Sequence, residues 1–231
     1  MNNKKAVNKF VIALGGSVAF PKEIKTSYLR SFYLFLEEEI NKGKKFIIVS
    51  GGGYIPRKYQ EAAFEITNIP DEDKDWIGIH GTRLNAHFLR TVFRKWANPI
   101  VLDERQKVTK FGKYPLIIAS GWEPGWSTDY VACRIAVDFG IKKIIVLGKP
   151  SHVYVTNQVN QKNEPIENLK WADYMKIIPS NWMPGLHAPV DPVASRLAKA
   201  ENLEAIVADG KDLKNFKKIL EQKRFKGTVI K

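Results

Sequence analysis

Two glycine runs, Gly15-Gly16-Ser17 and Gly51-Gly52-Gly53, each close a short apolar segment. Glycine lets backbone N–H groups approach an anion closely. One such run need be no more than a tight turn. Two of them, at strand ends of the same kind, favour anion binding. Two anions held near one another suit phosphoryl transfer, in which a donor and an acceptor phosphate must lie in line. Other candidates follow in the chain. Arg57 lies one helical turn beyond Gly53; its planar donors suit phosphate oxygens, although a surface arginine is the plain alternative. Asp75 either caps a helix or accepts from a sugar hydroxyl, and spacing alone does not decide. In Ser127-Thr128-Asp129 the hydroxyls suit a helix cap, and the carboxylate suits cations or magnesium around a triphosphate.

The elements that must position these residues are legible. Five apolar runs stop at glycine: Phe10–Leu14, Phe46–Ser50, Leu116–Ser120, Ile144–Leu147 and Ile206–Asp209. Each is rich in Val and Ile and too short for a typical helix, so each reads as a buried strand. Helix-like stretches lie between them, which predicts a parallel sheet with helices on both faces. Ligands of such sheets sit at the carboxyl ends of the strands. Helices are expected near Ile24–Lys42, ended by Gly43; from Ile55 to Thr67; and near Asp75–Trp96, after an acidic turn at Asn68–Lys74. The last carries Arg83, Arg90 and Arg94 on a basic face. Val101–Val108 reads as a strand pair or a loop, and Ser127 or Thr128 caps a helix through Phe139. From Ser151 to Trp182 the pattern weakens to a hairpin and a small lobe, in which Tyr154, Ile166, Leu169, Trp171 and Tyr174 need burial. Asp191-Pro192 starts a helix to about Asn202. A last strand, a basic helix with a stripe at Leu213, Phe216 and Leu220, and a closing strand at Thr228–Ile230 complete the chain.

Composition narrows the function. The 231 residues suffice for a substantial core, with 44% hydrophobic and 26% charged. No apolar stretch reaches bilayer-spanning length, and Met1–Lys5 leads into the first strand without an apolar leader. The single Cys133 excludes an internal disulfide and fits a reducing compartment, so a cytoplasmic location is expected. A net charge of +13 suits either polyanions or an anionic small substrate. The basic residues are spread out and no RNA-binding aromatic motif appears, so neither a nucleic-acid nor a membrane partner is expected. There is no Walker loop, no G-x-G-x-x-G after a strand, no G-x-S-x-G elbow, no H-E-x-x-H and no Cys/His cluster for zinc. His80, His87, His152 and His187 are scattered.

In order, Leu14-Gly15-Gly16-Ser17-Val18, Ser50–Gly53 with Arg57-Lys58-Tyr59, Gly78–Ala86, Gly121 to Thr128-Asp129, and Asp191–Arg196 resemble the amino acid kinase superfamily, and within it the uridylate (UMP) kinases of archaeal type. The Gly78–Ala86 stretch discriminates most. The likeness runs from about Phe10 to Ile230 and is weak through Val155–Trp182. It implies a single three-layer αβα domain over residues 1–231, with a mostly parallel central sheet. Its acceptor part spans about residues 1–140 and its ATP part about 141–231. It also implies transfer of the ATP γ-phosphate to UMP with Mg²⁺, in a homo-oligomer, commonly a hexamer. By motif position Gly15, Gly16 and Ser17 lie along the ATP phosphates. Gly52 touches UMP, and Gly53 and Arg57 lie near the transferred phosphate. Asp75 meets the ribose, and Gly121, Ser127 and Thr128 wrap the UMP. Asp129 organises the cationic groups, Arg196 keeps a positive charge at a family lysine site, Tyr154 flanks the adenine and Asn157 lies beside it. Asp129, Arg57 and Arg196 are thus the catalytic candidates, and no residue is assigned as a direct metal ligand.

Two departures stand out. Ala13 occupies a position where many relatives carry lysine, and such a contact can be worth roughly a hundredfold in rate; archaeal-type enzymes lack it too. The nucleotide segment T-N-x-D-G-V-Y reads Gly148-Lys149-Pro150-Ser151-His152-Val153-Tyr154, where Lys149 either replaces a lost cation or is a plain surface lysine. Two other readings remain open: a kinase of another small acid or phosphate, and a non-catalytic anion-binding homologue.

Overall fold

The computed structural model describes residues 8–156, 163–181 and 188–231. In chain order its elements are β1 (Lys9–Leu14), α1 (Gly16–Ala19), α2 (Thr26–Asn41), β2 (Lys45–Ser50), α3 (Tyr54–Ile66), α4 (Asp71–Val92), β3 (Leu116–Ala119), α5 (Thr128–Asp138), β4 (Lys143–Gly148), β5 (Val153–Thr156), β6 (Asn163–Ile166), β7 (Asn168–Leu169), α6 (Trp171–Ile177), α7 (Pro192–Ala200), β8 (Glu204–Asp209), α8 (Leu213–Leu220) and β9 (Thr228–Ile230). Seven strands form one sheet in the order β3-β2-β1-β4-β8-β9-β7. The five glycine-ended segments are its parallel centre, and only β9 against β8 runs antiparallel.

Uninterrupted Val/Ile runs arise because both faces of the sheet are covered. Side chains alternate along a strand. Val11, Ala13, Ile47, Val49, Ile117 and Ala119 therefore pack to one side with α5 and α7. Ile12, Leu14, Phe46, Ile48 and Ile118 pack to the other with α2, α8 and the second half of α4. On α2, Leu29, Phe32, Leu36 and Ile40 line one side and are buried, and Gly43 turns the chain at φ +86°. Successive strands step outward from β1 in both directions, so the gap between β1 and β4 is the topological switch point. Crevices for ligands form there, at the carboxyl ends.

Several expectations need correction or sharpening. The acidic stretch before Asp75 is the first turn of α4 and not a separate turn. Asp71, Glu72 and Asp73 sit there, where carboxylates complement the positive end of the helix. Asp75 lies one turn inside the helix, so it is not its cap. Arg83 is half-buried and donates to the Asp103 and Trp122 carbonyls, so it is not on a purely solvent face. The Val101–Val108 segment is a loop that touches the sheet through the bridge Leu102↔Ala119. The hairpin exists as β5–β6 and the lobe as β7 and α6, with Trp171 and Tyr174 buried, but Tyr154 is 40% exposed. At the end of α4 and just beyond it, Phe88 packs edge-on to Phe20, while Phe93 and Trp96 are buried against Tyr33, so these rings belong to the core.

Candidate active site

The two glycine turns are in direct contact. β1 and β2 pair in register, Leu14 opposite Ser50. The Gly51 N–H donates to the Leu14 carbonyl at 2.9 Å, and the Gly15 N–H to Leu147 at 2.8 Å. A Cβ on Gly51 would lie 2.5 Å from the Gly16 nitrogen; one on Gly16 would lie 2.6 Å from the Gly53 Cα. No side chain fits between these backbones, which gives glycine here a physical reason beyond turn geometry.

Two cavities open on either side of this junction. The first, about 230 Å³, runs from Gly52 and Gly53 past α3 and α4 to the Gly121–Thr128 loop, with Arg57, Asp75, Ser127 and Asp129 on its walls. The second, about 220 Å³, lies over the ends of β1 and β4 and is walled by Gly15, Gly16, Ser17 and Lys149. Ala13 also lines it. Both are bounded by Gly52, Gly53, Arg57, Thr128, Asp129 and Ala188, so they meet at that wall. Two anionic molecules, one per cavity, would face each other across it.

Helix α4 sets the geometry of the first cavity. The Asp75 carboxylate accepts from the Gly125 N–H at 2.7 Å. Thr82 Oγ1 donates to the Ile79 carbonyl and accepts from the Gly121 N–H at 2.8 Å. These contacts fasten the Gly121–Thr128 loop to the helix. At the loop's end Ser127, and not Thr128, caps α5: its Oγ accepts from the Asp129 and Tyr130 N–H groups at 3.1 and 3.0 Å. The same hydroxyl donates to Asp191 Oδ2. Asp191 in turn caps α7 through Oδ1, accepting from Val193 at 2.7 Å and Ala194 at 3.0 Å. The N-terminal ends of α5 and α7 are thus joined by two side chains that come from far apart in sequence.

Asp129 is the residue this arrangement leaves poised. Its backbone starts α5, and its side chain is enclosed by the cleft. Withdrawal from water, with the Asp191 charge beside it, holds its carboxyl well above the ordinary carboxylate range. Burial raises Asp191 too, against the lowering effect of its bonds from Ser127, Ala194 and Val193. A pair of carboxylates in this state favours a cation. Among the described residues no group of three or more His, Cys, Asp or Glu side chains could hold a metal ion alone. This donor set fits Mg²⁺ that arrives on phosphate oxygens, since that ion keeps several waters and takes one or two carboxylates.

Twelve of the residues singled out from sequence meet at these cavities: Gly15, Gly16, Ser17, Gly52, Gly53, Arg57, Asp75, Gly121, Ser127, Thr128, Asp129 and Lys149. Arg196 does not. It is exposed, its Nη1 donates to the Ser180 carbonyl at 3.2 Å, and among the described residues its link to the site is its field on Asp191. Tyr154 lines neither cavity and packs edge-on to His152. Asn157 lies outside the described residues. Sequence reasoning missed Gln60, Ile79 and Trp126 as cavity walls, and saw Asp191 only as a cap.

Known proteins share this architecture. Residues 8–209 match the profile of the amino acid kinase family. A uridylate kinase of Thermoplasma volcanium is 31% identical over 216 residues, covering 92% of this chain and 93% of that protein. One from Hyperthermus butylicus is 26% identical, covering 91% and 92%. Among solved structures, the uridylate kinase of Archaeoglobus fulgidus superposes with a TM-score of 0.77 at 24% identity, covering 96% of this chain and 100% of that one.

Proposed function

The chain belongs to the amino acid kinase family, and on that premise we propose that it transfers the γ-phosphoryl group of ATP to UMP, giving ADP and UDP. The observation that carries this is the pair of cavities meeting at Gly52, Gly53, Arg57, Thr128 and Asp129. UMP occupies the cavity walled by α4 and the Gly121–Thr128 loop, with its ribose toward Asp75. The ATP phosphates run along Gly15, Gly16 and Ser17. A phosphate oxygen of UMP attacks the γ-phosphorus, and the bond to the β–γ bridging oxygen breaks as ADP leaves. Little covalent work falls to the protein, so rate comes from alignment and charge neutralisation. Arg57, which borders both cavities, supplies a forked cation at the point of transfer. Lys149 borders the same cavity as Ala13 and provides a positive charge near the donor phosphates. Mg²⁺, bound with ATP, neutralises triphosphate charge, and Asp129 is the carboxylate that would hold it in place. Arg196 acts from a distance, through the charge of Asp191, and Tyr154 belongs to β5, beyond the donor cavity. The acceptor part, about residues 1–140, lends the Gly15–Ser17 turn to the donor cavity, and the ATP part, about 141–231, lends Asp191 to the acceptor cavity.

A coupled ADP-release assay across UMP, CMP, AMP, isopentenyl phosphate, carbamate and acidic amino acids tests this. UMP is expected to lead by about a hundredfold or more in kcat/KM, the discrimination a site built on hydrogen bonds can give. Turnover only with a non-nucleotide acceptor would refute it. Within that assay Asp75→Asn is expected to raise the KM for UMP about tenfold and leave the KM for ATP unchanged, since one charged hydrogen bond is weakened.

We propose also that the protein is a homo-oligomer, the hexamer being the form its resemblance implies. Helix α3 supports this: Pro56 is its one buried residue, while Ile55, Tyr59 and Ile66, which share one side of the helix, are exposed by 50 to 86%. Such an apolar face suits a second copy. Light scattering should give a mass well above 26.3 kDa, and a monomer at micromolar concentration would exclude it. No helix among the described residues is long and apolar enough to cross a membrane, in keeping with a proposed cytoplasmic location.

A further inference from the structure

Asn85 belongs to the Gly78–Ala86 stretch of α4 but lines neither cavity. Its half-buried side chain reaches the second glycine turn. Nδ2 donates to the Gly51 carbonyl at 2.9 Å and to the Gly52 carbonyl at 2.8 Å. Both partners only accept, so the amide nitrogen must face them. Two consecutive carbonyls are therefore pinned toward α4.

A trans peptide is planar, with its C=O and the next N–H pointing opposite ways. Pinning the Gly51 carbonyl fixes the Gly52 N–H, and pinning the Gly52 carbonyl fixes the Gly53 N–H. Both N–H groups must then point away from α4, toward the Gly16 turn and the junction of the cavities. Neither has a hydrogen-bond partner among the described residues. Successive free N–H groups of this kind form an anion-binding concavity. Glycine has the widest conformational freedom of any residue, so three in a row would not hold that arrangement unaided.

We infer that Asn85 is a positioning residue for phosphoryl transfer: it orients the Gly52 and Gly53 N–H groups toward the transferring phosphate without touching substrate. This rests on the kinase reading above. The carboxylate isostere separates it from a space-filling role. Asn85→Asp keeps the shape but sets carboxylate oxygens against two carbonyl oxygens, so the turn must be released.

The test uses the full-length chain with two readouts. With the best acceptor found for the wild type, Asn85→Ala is expected to lower kcat about thirty- to a hundredfold, with KM for the acceptor changed less than threefold. Misplacement by about an ångström is enough for that. Asn85→Asp is expected to be slower still. Separately, the Gly52 and Gly53 amide resonances should shift on titration with ATP alone in the wild type, and the shifts should shrink in both variants. Absence of that response in the wild type, an undiminished response in Asn85→Ala, or kcat of either variant within threefold of wild type overturns the inference. A wild type that responds in its amides but ignores UMP sinks the choice of acceptor and leaves the role of Asn85 standing.

Discussion

Gly53→Ala is expected to destabilise the protein by about 2–5 kcal/mol and to cut kcat/KM by about a hundredfold or more. The backbone of Gly53 has φ +77° and ψ −144°, a region that is essentially closed to side-chain-bearing residues. A Cβ there would strike the Phe20 carbonyl oxygen and lie 2.9 Å from the Phe20 Cβ. That carbonyl cannot retreat freely, because it accepts the first N–H of α3, from Tyr54, at 3.0 Å. Relief would require α1 and α3 to separate, which opens the junction between the cavities and displaces Arg57 with its helix. Gly43→Ala is the control. Its φ is also positive, at +86°, but nothing lies within 4 Å of the added carbon. Only the left-handed backbone is penalised there, by about 1–2 kcal/mol. Thermal and urea melts of the two variants separate crowding from backbone preference. Equal destabilisation, or a Gly53→Ala enzyme with normal kcat/KM, would mean that the contact of the two turns is not what the site depends on.

The same glycines explain why so much could be read from the chain. Strands buried on both faces are near-continuous apolar runs, and at their ends the backbone must come close to another backbone or a ligand. Both constraints are local in sequence, so the five central strands and the two turns are visible without coordinates. The join between Ser127 and Asp191 is not local. Each residue looks like an ordinary helix cap, and each is one. That one hydroxyl serves both helices depends on how α5 and α7 pack, 64 residues apart. Asn85 is hidden for the same reason, since its partners are main-chain atoms 33 and 34 positions away. The start of α4 was obscured because Asp, Glu and Pro serve a turn and a first helical turn equally well. For Tyr154 the apolar ring suggested burial, whereas a short two-stranded hairpin covers only one side of it. Arg196 shares a motif with Asp191, but five positions along a helix turn a side chain about 140° away, and the guanidinium ends on the Ser180 carbonyl.

Asp129→Asn should move activity and stability in opposite directions. In the free protein the Asp129 carboxyl sits well above its ordinary value, because the cleft strips it of water and Asp191 repels its charge. An acid raised in the folded state lends stability that is complete below the ordinary carboxylate range. It is lost as pH rises through the raised value. Above the ordinary carboxylate range the native protein therefore bears a penalty, a retained proton or a strained charge, that asparagine does not bear. The variant is expected to melt higher than wild type there, by about 2–4 °C for each kcal/mol of repulsion relieved. The gain should vanish near pH 4, where the wild-type carboxyl is itself neutral. Turnover should fall about a hundred- to a thousandfold at every pH, as when a single pre-aligned electrostatic group is removed from a transfer site. ATP with magnesium should narrow the gap in melting temperature, since a cation relieves in the wild type the same repulsion the substitution abolishes. Scanning calorimetry from pH 4 to 8, with and without the nucleotide, reads all of this. A variant that is less stable than wild type at pH 8 would show that Asp129 is held by favourable contacts, and would remove the physical reason for placing the cations of the reaction beside it.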